Sequence, residues 1–340
     1  MTKPTPLLLR ALYRQPVSRP PVWLMRQAGR YMAEYRAVRE KVSFLELCRT
    51  PRLCADVMAT AVEKIGVDAA IIFSDILPIL IPLGFDLEYT AGDGPQIRNP
   101  FRSESDLERV AEEIDLDRVS YVFETVAETR RLIPAEKAVI GFAGSPFTLA
   151  SYALEGGSSR SFIQTKRMMY TNETAWHTFL NRLSRAVTSY LNAQIDAGAE
   201  TVQIFDSWAG ILSESDYRRY VLPHTARLVA GIRPNIPVIY FGTGNPVLLP
   251  AMAETGAACI GADWRISIER AWDLIGRNRA IQGNLDPAVL LADKETIIRK
   301  TEEILRAVGQ QPGFIFNLGH GVLKETPVEN VITLVKTIKR

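Results

Sequence analysis

The chain has 340 residues, 47% hydrophobic and 23% charged, with 40 basic and 38 acidic side chains and a formal net charge of +2. That length supports a sizeable core, arranged as two domains or as one large α/β barrel. The near-balanced charge gives no general argument for binding nucleic acid or a membrane surface.

The opening Met-Thr-Lys-Pro-Thr-Pro lacks the apolar stretch of a secretory signal. The first stretch with chemical character is Pro21-Val-Trp-Leu-Met-Arg-Gln-Ala-Gly-Arg-Tyr31. Arg26 and Arg30 lie four positions apart, which puts them on one side of a helix if the segment is helical. Gly29 between them equally suggests a bent loop with its backbone close to a neighbour. Two planar guanidinium groups in one turn suit carboxylates or phosphates. The bland alternative is a solvated surface pair. No acidic residue occurs from Pro21 to Tyr31 to pair with them, and the flanks are apolar, so a binding role is favoured.

Thr50-Pro51 reads as a cap and first residue of an amphipathic helix over 51–65, stopped by Gly66. Val67–Phe73 reads as a buried strand ending in Ser74-Asp75. The apolar run it opens is broken by Ser74, Asp75, Pro78 and Pro82, so it is no membrane span. Residues 84–100, rich in Gly, Asp and Pro, read as a hairpin excursion, with helices over 105–113 and 119–132. A strand over 138–142 runs into Ala143-Gly-Ser-Pro146. The helix over 173–197 carries Trp176, Phe179, Leu180, Leu183, Val187, Leu191 and Ile195 at the spacing of one buried face. Further strands over 201–205, 238–241, 258–262, 280–282 and 314–316 end in Asp206-Ser207, Gly242-Thr-Gly244, Asp263, Asn284–Asp286 and His320. A helix over 213–231, kinked at Pro223, follows the first of these. The last helix opens at Thr326-Pro327.

Strand, polar tip and helix thus alternate, which predicts an α/β fold with parallel strands buried on both faces. Seven strands are clear, and an eighth has no evident place. The polar tips all follow the carboxyl ends of strands, where barrels and open sheets both place their chemistry. No P-loop, dinucleotide fingerprint, H-E-x-x-H, C-x-x-C or G-x-S-x-G occurs, which favours the barrel and cofactor-free chemistry. Cys48, Cys54 and Cys259 lack metal-ligand spacing and read as reduced thiols of a cytoplasmic protein. The residues alone favour a barrel of parallel strands.

Six segments together carry a family resemblance. They are Pro21–Tyr31, Phe73-Ser-Asp-Ile-Leu77, Gly141-Phe-Ala-Gly-Ser-Pro-Phe-Thr-Leu149 with Tyr152, Ile204-Phe-Asp-Ser-Trp-Ala-Gly210, Gly283-Asn-Leu-Asp-Pro287 and Phe316-Asn-Leu-Gly-His-Gly321. In this order, over roughly residues 6–340, they resemble the uroporphyrinogen decarboxylases. Two departures are Met32-Ala33, where many relatives have Leu-Pro, and Thr243, where many have a basic residue. Neither touches the residues expected to do chemistry.

The resemblance implies one (β/α)8 domain over residues 1–340, with 1–10 a flexible lead-in, forming a homodimer with a cleft at the strands' carboxyl ends that needs neither metal nor organic cofactor. It implies conversion of the four acetates of uroporphyrinogen to methyls, giving coproporphyrinogen and four CO2. It casts Asp75 as the carboxylate facing the pyrrole N–H groups, with Arg26 and Arg30 lining the cleft. Gln27, Ala28, Tyr152, Ser207 and His320 match substrate-contacting positions. An arginine proton donor is hard to justify, because guanidinium keeps its proton. His177 and His224 read as structural. Two rivals stand beside this reading. One is a zinc- and corrinoid-dependent methyltransferase on the same barrel, though no cysteine accompanies His320. The other is a non-catalytic tetrapyrrole-binding protein, against which the set Asp75, Tyr152, Ser207 and His320 argues.

Overall fold

Short runs of aliphatic and aromatic residues form the strands, and the helices between them bury one face each. The structure is a computed structural model and describes residues 5–90 and 94–340. Nine strands occur among these residues: β1 (Ala69–Ile71), β2 (Leu87–Thr90), β3 (Gly94–Ile97), β4 (Ala138–Gly144), β5 (Thr201–Asp206), β6 (Val238–Gly242), β7 (Cys259–Gly261), β8 (Ala280–Leu285) and β9 (Phe314–Leu318). Seven of them pair in parallel in the order β1-β4-β5-β6-β7-β8-β9. β2 and β3 form the expected antiparallel hairpin, with Leu87 opposite Ile97. The seven parallel strands are almost wholly buried, as a sheet covered on one face by helices and curled on the other requires.

The two end strands are joined by the stretch that opens with Pro21. Val22 bridges Phe316 of β9 in parallel. Phe316 N–H donates to Pro21 C=O at 2.9 Å and Trp23 N–H to Phe316 C=O at 3.4 Å. On the other side, Asp68 N–H donates to Val22 C=O at 2.8 Å. The eighth position of the expected barrel is therefore a single bridge rather than a full strand. Its only signal is the four-residue apolar run Val22-Trp-Leu-Met25 between Pro21 and Arg26, which carries no alternation to mark a strand. Inside the curl, Trp23 Nε1 donates to Gln282 Oε1 and Gln282 Nε2 to Gln203 Oε1, both at 2.9 Å, tying the bridge to β8 and β5.

A clamp beneath the bridge holds it. Asp68 accepts two hydrogen bonds from Arg19, at 2.7 and 2.8 Å, and one from Val22 N–H at 2.9 Å. Lys339 of the last helix adds an ion pair at 2.9 Å. Burial works to raise the Asp68 pKa, but Arg19, Lys339 and Val22 N–H outweigh it and hold the carboxyl below its ordinary value.

Most helices match expectation. Glu173–Asp196 buries Trp176, Phe179, Leu180, Leu183, Val187 and Leu191 completely. The same face carries Gln194, whose amide bonds both backbone groups of Phe142 in β4 at 2.8 and 2.9 Å. Gly66 ends Pro51–Ile65 in the left-handed conformation, as a C-cap glycine should.

Four expectations change. Where a flexible lead-in was expected over 1–10, Leu7–Leu12 forms a helix with Leu8 and Ala11 fully buried, while residues 1–4 lie outside the described residues. The helix expected over 105–113 is a 3-10 turn, Glu104–Arg109, because Val110 turns extended and Ala111 N–H donates to Leu83 C=O. The helix over 213–231 is two helices, Glu214–Tyr220 and Leu222–Ala230, with Pro223 in the first turn of the second. Thr50 is no cap, since its hydroxyl donates backwards to Glu46 C=O at 2.7 Å. No helix among the described residues is long and apolar enough to cross a membrane.

Because the Asp68 pKa is depressed on folding, its stabilisation is complete above the ordinary carboxylate range and is lost as pH falls through the native value. Asp68→Asn is expected to lower stability at pH 7 by about 2–3 kcal/mol, the scale of hydrogen bonds to a charged group. Denaturant midpoints measured from pH 7 to pH 3 should show the gap to the unaltered protein closing with acidity. A constant gap would mean that packing, not charge, sets the loss.

Candidate active site at the carboxyl ends of the strands

Asp75 follows β1 at the open end of the curl. Its Oδ1 accepts Leu77 N–H at 2.9 Å, which turns the chain into the 3-10 turn Pro78–Leu80. The side chain is half-buried: solvent reaches it, yet protein surrounds it. Burial raises its pKa, against the Leu77 and Ile76 N–H groups, Tyr89 and the charge of Arg26. The Tyr89 hydroxyl, on β2, is buried beside Asp75 but makes no hydrogen bond of ordinary geometry. Its phenol is pushed far up by burial and then by the Asp75 charge. The site thus holds a carboxylate short of solvation with few compensating donors.

Arg26 stands on a loop, not a helix, which resolves the open choice for this segment. Its φ is +63°. That left-handed conformation costs a non-glycine residue roughly 1–2 kcal/mol. Gln27 holds the loop in place. Its Oε1 accepts Leu24 N–H at 3.1 Å and its Nε2 donates to Ala69 C=O at 3.0 Å. Tyr31 OH donates to Gln27 C=O at 2.6 Å. The guanidinium groups of Arg26 and Arg30 are exposed and make no ion pair or side-chain hydrogen bond among the described residues. The Arg26 stem lies over Gly321, where a Cβ would come within 2.5–3.0 Å of its Cδ, Cγ and Nε.

His320 therefore sits next to Arg26. Gly321 N–H donates to His320 Nδ1 at 2.7 Å, which leaves the ring proton on Nε2 as a donor. The His320 pKa is pushed down to about 4, by burial first and then by Arg26 and Arg265, so the ring is neutral at pH 7. Tyr152 is half-buried against Trp208, ring centroids 5.6 Å apart. Burial and the Asp75 charge push its pKa up to about 12. The Ser207 hydroxyl is partly exposed and has no hydrogen-bond partner among the described residues.

Arg26 thus lies within electrostatic reach of Asp75, Tyr152 and His320, and Asp75 within reach of Tyr152. Arg30 is exposed near Tyr35. Gln27 and Ala28 are buried, and the Gln27 amide is committed to the loop, so their contribution to a ligand would come from backbone. Several other polar tips hold the fold. Ser145 caps the next helix, accepting Thr148 N–H at 3.0 Å. Asp206 is buried and accepts Thr148 and Tyr240 hydroxyls at 2.7 and 2.6 Å. Asn284 spans two carbonyls, and Asp286 accepts Ala288 N–H. His177 and His224 bond each other at 2.7 Å between helices, away from these groups. Two side chains here had no motif to announce them: Tyr89, inside the hairpin excursion, and Arg265, just past the Asp263 tip.

A model of uroporphyrinogen decarboxylase matches residues 3–340. The chain belongs to the uroporphyrinogen decarboxylase family. It is 51% identical over 336 residues to a uroporphyrinogen decarboxylase of Chloroflexus aurantiacus, covering 97% of this chain and 94% of that one. The family's enzyme from Koribacter versatilis is 47% identical over 340 residues, with 99% and 97% covered. Among solved structures, a methyltransferase from Methanosarcina mazei superposes with a TM-score of 0.80 at 20% identity, covering 99% of each chain. A B12-independent methionine synthase from Shewanella gives 0.58 at 10% identity, with 88% and 90% covered. At such identities the likeness is one of fold alone. The three cysteines are buried, and no three His, Cys, Asp or Glu side chains group as metal ligands among the described residues.

Gly321→Ala tests the seat of Arg26. Gly321 has no positive φ, so the backbone accepts alanine, but the new Cβ must displace the Arg26 stem. We expect kcat/KM for the family's substrate to fall about tenfold, the scale of one charge-assisted contact, without a drop in Tm. Unchanged kinetics would separate Arg26 from the site.

Proposed function

We propose that the protein is a carboxy-lyase that removes the four acetate carboxyls of uroporphyrinogen III, leaving methyls and releasing four CO2. The observation that carries this reading is Asp75: a carboxylate short of solvation, at the mouth of the curled sheet, in a chain of this family. Cleaving an acetate from a neutral pyrrole would leave an unstabilised carbanion. Adding a proton to the pyrrole carbon beside the acetate-bearing one first makes the ring an electron sink. The bond to the carboxylate then breaks, CO2 leaves, and its electron pair flows into the ring. A second proton on the exocyclic carbon gives the methyl, and loss of the first restores the pyrrole. Each cycle consumes one proton net.

Asp75 accepts the inward pyrrole N–H groups and opposes the ring's developing positive charge. Because its ionised form is disfavoured in the free site, a cation there gains more from it than from a solvated carboxylate. Arg26 and Arg30 hold substrate carboxylates, each contact worth roughly 1.5–3 kcal/mol. Tyr152, Ser207 and neutral His320 donate hydrogen bonds to others. Gln27 and Ala28 offer backbone only. Homodimerisation and a cytoplasmic location belong to the same proposal and rest on family membership.

Anaerobic incubation of metal-stripped protein with uroporphyrinogen, followed by separation of the oxidised porphyrins, tests the reading. Products with seven, six, five and four carboxylates are expected. Unchanged octacarboxylate would overturn it. Asp75→Asn should lower kcat by about 10²–10³, the scale of losing one preorganised electrostatic group. Since the Asp75 pKa is raised on folding, its ionised form costs stability above the ordinary carboxylate range. The variant should therefore melt no lower than the parent at pH 7, and normal turnover would remove Asp75 from the chemistry.

A further inference from the structure

Arg265 is built into the mouth in a way a surface arginine is not. Asp263, at the tip of β7 and with its side chain only 4% exposed, organises it. Asp263 Oδ1 accepts Arg265 N–H at 3.0 Å. Its Oδ2 accepts the Thr243 hydroxyl at 2.8 Å, Gly244 N–H at 2.7 Å and Arg265 Nη1 at 2.5 Å. The guanidinium carbon lies 4.2 Å from the centre of the Trp264 ring. The same turn packs against the His320 loop: a Cβ on Gly319 would come within 2.5 Å of Trp264 N and 3.0 Å of the Asp263 carbonyl carbon. The turn that carries Arg265 thus packs against Gly319, before His320, while the Arg26 stem packs over Gly321, after it.

Only one arm of the fork is used. Nε–H and the two Nη2 protons have no hydrogen-bond partner among the described residues, and the side chain is 43% exposed. At His320 the Arg265 charge outweighs that of Asp263, so the pair acts on that ring as a cation. His320, a neutral donor through Nε2, thus lies in the field of two guanidinium groups, those of Arg26 and Arg265. That arrangement fits an anion.

We infer that Arg265 is a third carboxylate-binding arginine of this site, which with His320 and Arg26 holds one acid side chain of the substrate. The inference rests on the decarboxylase reading and deepens it. An octacarboxylate offers more anions than Arg26 and Arg30 can bind, and Arg265 serves the β7 side of the opening. It is a positioning residue, since the chemistry lies at Asp75.

Equilibrium binding of uroporphyrin, the oxidised octacarboxylate, measured by titration calorimetry beside steady-state kinetics, tests it. Arg265→Gln keeps a donor for Asp263 and removes the charge. It should weaken uroporphyrin binding and raise KM by about tenfold, as loss of one charge-assisted contact does, with kcat changed little. Its binding should fall less steeply with salt than that of the parent. Arg265→Lys should recover most of the affinity. Unchanged affinity in Arg265→Gln overturns the inference. So does a fall in Tm that Lys repairs no better than Gln, which marks a role in tying the loops alone. If the parent protein neither binds uroporphyrin nor converts uroporphyrinogen, the decarboxylase reading fails and takes this inference with it. If the parent does both and only the Arg265 effect is missing, the inference fails alone.

Discussion

Asp68 holds the two ends of the curled sheet together. It draws Arg19, the Val22 backbone and Lys339 of the last helix to one carboxylate, immediately before β1. Taking a carboxylate out of water is expensive, and two cations with a backbone donor offset that expense only when all are in place. Through this clamp the segment after Arg19 enters the space between β9 and β1. Everything at the open end inherits its position from there. The bridge at Val22 aims the loop that follows, Gln27 locks that loop onto Ala69, and Arg26 emerges over Gly321.

The open end is arranged against its own electrostatic comfort. Asp75 is a carboxylate that burial disfavours, and the Tyr89 hydroxyl beside it lacks a proper partner. Arg26 is held in a left-handed backbone, with its charge free. His320 is kept neutral by burial and by the arginines near it. By contrast, Asp206 and Asn284, at neighbouring strand ends, have their hydrogen bonds met within the protein. Polar groups that the fold leaves short of partners mark where a ligand completes them. A negative centre flanked by positive and neutral donors matches a polyacid whose ring becomes cationic.

Much of this was legible in the residues. Continuous apolar runs ending in Asp, Ser or His placed β1 and β4–β9 and the end of the sheet where the polar tips gather, because buried parallel strands read differently from solvated ones. Six long segments in order placed the family. What escaped was whatever depends on contacts distant in sequence. Residues 1–10 were read as a flexible lead-in, yet Leu7–Leu12 folds because Leu8 and Ala11 find a buried place. Pro21–Trp23 looked like part of a binding loop, and it also supplies the missing member of the barrel. Gln27 was read as touching substrate, and its amide proved to be committed to the loop. Arg265 and Tyr89 stand beside no motif, so nothing local marked them.

The sequence by itself determined the α/β alternation, the helix faces and stops, and which charged and polar residue types follow the strand ends. These follow from local periodicity, backbone preference and side-chain chemistry, which need no knowledge of distant neighbours. The tertiary structure alone decided that the sheet closes through one bridge, that Asp206 is a structural group while Asp75 is left wanting, and that Arg265 shares a mouth with His320. Solvation, field and unmet hydrogen bonds depend on what surrounds a group, and that surrounding is assembled from residues as far apart as Arg26 and Gly321.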